Sequence, residues 1–209
     1  DVMDEAAVRR GAPSVNARWD NSIAILVGDF LFARASSLVA DLGPDAVRVQ
    51  AETFARLVHG QIRETIGPRD GEDVLDHYLS VVADKTGSLI ATAARFGAMM
   101  SGAGTDIEAT LIEFGELIGA AFQLADDIID IASDADDSGK VPGTDLREGV
   151  PTLPTLLVQR HRTGDDERLV ELLSGPIEDE DDVQWAIKAL RAHPAMDSAR
   201  DYVRAEANA

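Results

Sequence analysis

Three carboxylates lie within one of the most apolar stretches of the chain. Asp126, Asp127 and Asp130 belong to the segment FQLADDIIDI, residues 122–131. On a helix, Asp126 and Asp130 share one face, with Asp127 beside them. Clustered carboxylates in apolar surroundings stay ionised only if a cation compensates, because removing each ion from water costs several kcal/mol. Ligand sets made only of oxygen favour Mg²⁺ or Ca²⁺ over zinc. A solvated acidic edge is the alternative interpretation.

A second acidic group opens the chain. Asp1 and Asp4 are followed by the pair Arg9-Arg10. Together with Lys85 and Lys140, the two acidic groups are typical of a site in which Mg²⁺ and basic side chains hold phosphate groups. Arginine offers a planar fork and lysine a point charge, and both suit the oxygens of a diphosphate.

The elements that must position these side chains are helices. Apolar residues recur at helical spacing, and no alternating strand pattern of useful length is present. The capping-box pattern Thr105–Glu108 opens the helix that carries the three carboxylates. The irregular stretch 133–152 is long enough to suggest a functional loop. We find no domain boundary. The predicted helices span residues 16–41, 45–66, 72–101, 106–133, 152–162, 166–174, 181–192 and 195–207.

Composition narrows the class of protein. A chain of 209 residues can bury one sizeable core or at most two small ones. The excess of 38 acidic over 19 basic residues argues against a nucleic-acid surface. The absence of cysteine excludes disulfides and thiolate chemistry. The apolar stretch 23–40 is interrupted by Asp29 and Arg34, and the acidic opening segment is unlike a signal peptide. We therefore expect no transmembrane segment and a cytoplasmic location.

Six motifs, taken in order, resemble those of one enzyme family. The chain is similar to the trans-polyprenyl (isoprenyl) diphosphate synthases, in particular to the bacterial medium- and long-chain type, over about residues 1–160. The last two motifs are highly specific together, whereas K-T-G alone is weak. The motifs are D-x-x-D-x(4)-R-R-G at 1–11, G-D-F-L at 28–31, H-G-Q at 59–61, K-T-G at 85–87, F-Q-L-A-D-D-I-I-D at 122–130 and G-K-x-x-G-x-D-L-x-x-G-x-x-T-L-P at 139–154.

The resemblance implies an all-α, isoprenoid synthase-like bundle of helices around a central cavity. It also implies a homodimer that uses Mg²⁺ to condense an allylic diphosphate with isopentenyl diphosphate. By similarity, Asp1 and Asp4 would ligate Mg²⁺ on one wall and Asp126 with Asp130 on the facing wall, while Asp145 would orient Lys140 or metal-bound water. The implied catalytic residues are Asp1, Asp4, Asp126, Asp127, Asp130 and Lys85. The implied substrate-binding residues are Arg9, Lys85 and Lys140 on the allylic diphosphate, Arg10 on isopentenyl diphosphate, and Thr86 with Gln123 near the reacting carbons.

The chain departs from the family pattern at its start. The family's first motif is D-D-x-x-D, and Asp1 stands at its second aspartate. Family members also continue further at the C-terminal end. We therefore expect residues 1–209 to be a single helical synthase domain truncated at the N-terminus, where the first helices are missing, and at the C-terminus. By itself, such a chain is expected to be inactive or to bind little metal. Product length is not predicted, because in this family it depends on residues that precede the first motif.

Three other functions share some of these sequence features. A class I terpene cyclase shares the ionisation chemistry, but its second metal motif is usually N/D-x-x-S/T-x-x-x-E, whereas this chain repeats D-D-x-x-D and follows it with G-K. A non-catalytic subunit of a heteromeric synthase tends to lose the aspartates that this chain retains. A calcium-binding EF-hand loop that starts at Asp134 would place Asp145 at a position usually held by glutamate and would have to accommodate Pro142.

Overall fold

Helices dominate the computed structural model of the chain, as the spacing of its apolar residues predicts, and the all-α fold is confirmed. The structure describes residues 2–3, 6–9, 11–132 and 142–208. Two antiparallel strands of two residues each, β1 (Val8–Arg9) and β2 (Ala12–Pro13), lie near the start. The α-helices among the described residues are α1 (Val15–Trp19), α2 (Asn21–Ala40), α3 (Pro44–Ile66), α4 (Val74–Val82), α5 (Ser88–Ser101), α6 (Thr105–Ala132), α7 (Thr144–Glu148), α8 (Leu153–Arg160), α9 (Glu167–Leu172), α10 (Glu180–Ala192) and α11 (Pro194–Glu206).

Contacts divide the chain into two compact units, residues 1–52 and residues 53–209. In the first unit, Ser14 caps α1 by accepting a hydrogen bond from the Ala17 amide at 3.2 Å. Asp20, with φ 100°, then separates α1 from α2 and accepts from the Ile23 amide at 3.0 Å. The prediction of one continuous helix over residues 16–41 is therefore wrong at this point, because a local cap restarts the helix.

The helix α2 is apolar and exposed. None of its residues, all of which the structure describes, is buried within the chain. Within the described residues it is also the one helix whose length and composition would suffice to cross a membrane, a test that core helices of soluble proteins pass as well. Its charged residues Asp29 and Arg34 are the interruptions noted in the sequence.

The core of the second unit forms around α6. Leu124 and Ile131 of this helix are at most 2% exposed and pack with residues of α8, α10 and α11. On its other side, α6 packs so closely against α5 that the backbones of the two helices are in contact. A Cβ atom at Gly115 would stand 2.4 Å from the Cα of Ala91, so the glycine is required for this close approach. The helix that carries the three carboxylates is thus enclosed on several sides.

Two elements of the second unit differ from the predicted ones. Residues 72–101 form α4 and α5 joined by a π-helix, Ala83–Gly87, rather than one regular helix. This wider turn holds the K-T-G motif, and π-helical turns are frequent at functional sites. The stretch predicted as a loop, residues 133–152, contains the short helix α7, while residues 133–141 lie outside the described part of the chain.

Candidate active site

The three carboxylates of the aspartate motif lie in the last two turns of α6. Asp127 is buried, with 6% of its surface exposed. Its carboxylate accepts hydrogen bonds from the Tyr78 hydroxyl and, at 3.2 Å, from Nε2 of Gln123. Burial raises the pKa of the Asp127 carboxyl, and burial next to Asp127 raises the pKa of Tyr78. Protein groups therefore hold Asp127, which leaves Asp126 and Asp130 as the candidate ligands of this motif.

Asp130 is held by the segment that begins α7. Its carbonyl accepts from the Gly143 amide at 3.0 Å. Its carboxylate accepts from the amides of Thr144 and Asp145 at 3.3 and 3.4 Å. Gly143 has φ 78° and lies under Ile187, whose Cδ1 would stand 2.8 Å from an added Cβ atom. The glycine of the final motif is thus favoured by its left-handed backbone conformation, and the side chain of Ile187 leaves little room for a larger residue.

Negative charge is concentrated around Asp145. Burial and the nearby carboxylates, Asp130 first and then Asp127, raise the pKa of Asp145 to about 7. A bound cation would relieve this repulsion, and oxygen donors of this kind suit a hard divalent ion. The donor chemistry of these oxygen groups therefore suits such an ion. Within the described part of the chain, no group of three acidic or histidine side chains is placed to hold one, and the proposed ligands Asp1 and Asp4 lie outside that part.

Four of the predicted site residues cannot be placed. Asp1, Asp4, Arg10 and Lys140 lie outside the described residues, as do positions 134–141 of the EF-hand alternative. Arg9 is described and lies in β1.

Two predicted substrate-binding residues contact each other. Thr86 Oγ1 donates to Oε1 of Gln123 at 3.0 Å. Because Gln123 in turn donates to Asp127, a continuous chain of hydrogen bonds runs from Thr86 through Gln123 and Asp127 to Tyr78. The K-T-G motif and the aspartate motif are joined in this way, which the sequence analysis did not predict.

Lys85, the remaining predicted cation, pairs with a carboxylate on α3. Its Nζ contacts Oε2 of Glu64, which also accepts from Nε2 of Gln61 at 3.0 Å. The H-G-Q motif therefore lies next to the K-T-G motif. Gly60 makes this possible, since a Cβ atom there would stand 2.9 Å from the Cβ of Asp84.

A cluster of charged side chains around Arg56 was not predicted from the sequence. This side chain donates to Oδ1 of Asp84 at 3.1 Å and to Oε1 of Glu116 at 2.5 Å, and its pKa is raised chiefly by the hydrogen bond to Glu116. It thereby ties α3, the π-helix and α6 together. No local pattern indicates this, because the pairs span 28 and 60 residues. Tyr78 was also missed, although a tyrosine inside an apolar run usually needs a partner for its hydroxyl group.

Comparison with known proteins agrees with the all-α fold. Helices of this arrangement, with acidic residues at the end of a central helix, define a protein of the isoprenoid synthase fold. Residues 1–190 match the polyprenyl synthetase family, and the chain belongs to that family. The resemblance seen in the sequence is thereby confirmed.

Relatives of known sequence include two proteins of Mycobacterium tuberculosis. The chain is 56% identical over 201 residues to a nonaprenyl diphosphate synthase, a match that covers 96% of this chain and 60% of that protein. It is 46% identical over 206 residues to a dimethylallyltranstransferase, covering 99% of this chain and 62% of that protein. The chain therefore spans somewhat less than two thirds of the length of these relatives.

Two solved structures resemble the chain over nearly its whole length. One is geranylgeranyl pyrophosphate synthase from Corynebacterium glutamicum complexed with calcium and isoprenyl diphosphate, with 47% identity, a TM-score of 0.83 and coverage of 99% of this chain and 62% of that one. The other is polyprenyl synthase from Caulobacter crescentus complexed with calcium and isoprenyl diphosphate, with 30% identity, a TM-score of 0.90 and coverage of 100% and 64%.

Proposed function

We propose that the protein is a prenyltransferase that condenses an allylic diphosphate with isopentenyl diphosphate to give an all-trans polyprenyl diphosphate. The observation that carries this proposal is the crowding of carboxylates at the end of α6, where Asp126, Asp127 and Asp130 lie within two turns and the Asp145 amide donates to the Asp130 carboxylate. Such crowding favours the binding of a divalent cation. A divalent cation bound by carboxylates can in turn bind the phosphate groups of a substrate, here those of a diphosphate. The names of the relatives support the same reaction.

The metal proposed is Mg²⁺, with Asp126 and Asp130 as ligands from α6 and with Asp1 and Asp4 as further ligands. The two solved structures described above are complexes with calcium, which supports a hard divalent ion in this class of site. When bound, Mg²⁺ would supply Lewis-acid stabilisation of the negative charge that develops on the departing diphosphate.

The remaining residues of the site would bind, orient and exclude water. Lys85 would exchange its contact with Glu64 for an oxygen of the allylic diphosphate, with Arg9 and Lys140 on the same group and Arg10 on isopentenyl diphosphate. Thr86 and Gln123, held together by their hydrogen bond, would line the pocket near the reacting carbons. Breaking the allylic C–O bond leaves a carbocation, which the double bond of isopentenyl diphosphate attacks. A proton then leaves, and the departed diphosphate is the proposed base.

The wider biology of the protein is proposed from the family. We propose a cytoplasmic homodimer in which residues 1–209 act within one synthase domain. The exposed apolar surface of α2 supports an assembly in which that surface is covered, because large exposed apolar patches commonly mark interaction sites.

Turnover with isotopically labelled isopentenyl diphosphate tests the reaction. The chain is assayed alone and as a chimaera in which it replaces the matching segment of the M. tuberculosis nonaprenyl diphosphate synthase. Each is supplied with Mg²⁺ and, separately, with dimethylallyl, geranyl, farnesyl or geranylgeranyl diphosphate, and the products are sized by chromatography. We expect the chimaera to elongate a starter, and Asp126→Ala to lower its rate about a hundredfold or more.

A matched control and three outcomes make this test decisive. Asp106→Ala removes a carboxylate from the first turn of the same helix and is expected to leave turnover unchanged. Elongation that survives chelation of the metal would contradict the proposed role of Mg²⁺. A cyclised hydrocarbon with isopentenyl diphosphate unconsumed would identify a class I terpene cyclase. A folded chimaera that binds metal but turns over no starter would support the non-catalytic subunit.

A further inference from the structure

A two-point ion pair joins α7 to the distant helix α10. Arg147 donates from Nε to Oε2 of Glu180 at 3.1 Å and from Nη2 to Oε1 at 2.8 Å. Its remaining terminal nitrogen, Nη1, donates to the carbonyl of Pro142 at 2.8 Å. One guanidinium group therefore holds the segment 142–147 closed on itself and attaches it to α10.

The Glu180 carboxylate is itself held in place. Nε2 of Gln184, one turn further along α10, donates to its Oε1 at 2.8 Å. The hydrogen bonds from Arg147 and Gln184 lower the pKa of Glu180. The side chain of Glu180 is 62% exposed, so the pair is expected to contribute little to the free energy of unfolding of the whole unit. Its effect should therefore be felt locally, in the segment that Arg147 closes.

That segment orients the carboxylate of Asp130. Three consecutive amides, those of Gly143, Thr144 and Asp145, donate to Asp130, the first to its carbonyl and the next two to its carboxylate oxygens. Both carboxylate oxygens are thus directed by backbone groups whose positions depend on the closed segment. A second contact, from Nε of Arg191 to the carbonyl of Ile131 at 2.7 Å, holds the backbone just after Asp130 to the same helix α10.

We infer that Arg147 and Glu180 are positioning residues for Asp130, and that α10 sets the orientation of this candidate metal ligand through them. The inference rests on the proposed function, because it takes Asp130 as a ligand. No sequence pattern indicates it, since Arg147 and Glu180 are 33 residues apart. Partners that orient a metal ligand commonly affect metal affinity by about 10- to 100-fold.

Binding of Mn²⁺, monitored by the electron paramagnetic resonance signal of the free ion, tests the inference. Mn²⁺ serves as the probe because carboxylate sites for Mg²⁺ also accept it. In the chimaera that carries this chain, we expect Glu180→Gln and Arg147→Gln each to weaken binding about tenfold. The double variant should be no weaker than either single variant, because the two side chains act through one pair.

The structure offers a close control on the same turn of α10. Asp182→Asn removes one carboxylate and breaks an ion pair of 2.9 Å, but that pair is with Arg168 on α9 and not with the segment 142–147. It should leave Mn²⁺ binding within about twofold of the wild type, since the charge is lost without loss of the positioning contact. Asp130→Asn is expected to weaken binding more than any of these changes.

A second measurement does not depend on the metal. In the metal-free chain, the amides of Thr144 and Asp145 should exchange their hydrogens several-fold faster in Glu180→Gln and Arg147→Gln than in Asp182→Asn. Unchanged exchange, or Mn²⁺ binding that Asp130→Asn abolishes but Glu180→Gln and Arg147→Gln leave intact, overturns the inference and spares the proposed function. Strictly additive losses in the double variant also overturn it. A chimaera with the unaltered chain that binds no Mn²⁺, or that binds it equally well after Asp130→Asn, overturns both.

Discussion

Helices α2 and α6 are both long and mostly apolar, yet they are buried to very different degrees. In α2, Leu26 and Leu31 are 62% and 60% exposed. In α6, Leu124 and Ile131 are 0% and 2% exposed. Each helix also carries aspartate, but Asp29 of α2 lies in exposed surroundings whereas Asp127 of α6 is enclosed.

Partners account for this difference better than composition does. Gly115 and Gly119 have no Cβ atom, so the backbones of α5 and the π-helix can contact the backbone of α6 directly. α8, α10 and α11 contribute side chains to the same core. An apolar helix therefore becomes a core helix only where neighbouring backbones can approach it, and a carboxylate inside that core then needs a donor such as Tyr78.

The largest expected effect separates the two helices directly. Leu124→Ala should lower the free energy of unfolding by about 2–5 kcal/mol, because it leaves a cavity in the core. Leu26→Ala removes the same atoms from α2 and should change that free energy by less than about 0.5 kcal/mol in the isolated chain. Urea denaturation of the two variants measures the difference, and similar losses would show that α2 is as well packed as α6.

Replacement of a single glycine should disrupt the close contact between the backbones of α5 and α6. Gly115→Ala should cost about 1–3 kcal/mol, because its Cβ atom would stand 2.4 Å from the Cα of Ala91 and neither helix can yield cheaply. Gly97→Ala on α5 meets no atom within 4 Å. It should be neutral or stabilise the chain by up to about 1 kcal/mol, since alanine favours a helix. Thermal and urea unfolding of the two variants would contradict this account if the order were reversed.

The buried carboxylate of α6 depends on its donor. Tyr78→Phe leaves one oxygen of Asp127 without that donor and should cost about 1–2 kcal/mol in the metal-free chain. Tyr202→Phe serves as the control, because the hydroxyl of Tyr202 is hydrogen-bonded with Glu206 on its own helix, α11, and its loss should change stability by less than about 0.5 kcal/mol. Equal losses of stability in the two variants would mean that the hydrogen bond from Tyr78 to Asp127 contributes nothing specific to the free energy of unfolding.

Two single carboxylates, one in each unit, give the smallest expected effects, and again the two units differ. Hydrogen bonds from the backbone and side chain of Thr163 lower the pKa of Asp166 below its ordinary value of 3.8. The stabilisation that the ionised Asp166 carboxylate gives the folded chain is therefore present above pH 3.8, and it is lost as the pH falls through the pKa of Asp166 in the folded chain. Asp166→Asn should lower the melting temperature slightly at pH 7 and progressively less toward pH 3. Asp45→Asn in the first unit breaks a pair whose side chains are 66% and 76% exposed and should change little at either pH.

Local features of the sequence predicted much of the fold. The helix predicted over residues 106–133 is observed as Thr105–Ala132, and the one predicted over residues 45–66 as Pro44–Ile66. Apolar spacing and capping residues determine such bounds locally. The break at Asp20 and the π-helix were not predicted, because each depends on a backbone conformation to which apolar spacing is insensitive.

The sequence motifs predicted which residues belong to the candidate site, but not most of the contacts that those residues make. The motifs singled out Thr86, Gln123 and Asp127, and these are joined by hydrogen bonds. Their donor Tyr78 lies 49 residues from Asp127, and the Arg147–Glu180 pair spans 33 residues. Such contacts follow from how the helices pack, which no local pattern records.

The π-helix has a consequence for changes in chain length. Each residue of an α-helix turns it by about 100°, whereas the wider turn of a π-helix holds one more residue for nearly the same rotation. Deleting one residue between Ala83 and Gly87 would therefore restore a regular helix while Val81 and Val82 stay buried and Tyr78 still faces Asp127. Adding a residue there would instead turn α4 by about 100° and direct Tyr78 away from Asp127. The segment between Tyr78 and Lys85 is therefore expected to tolerate the loss of one residue better than the gain of one.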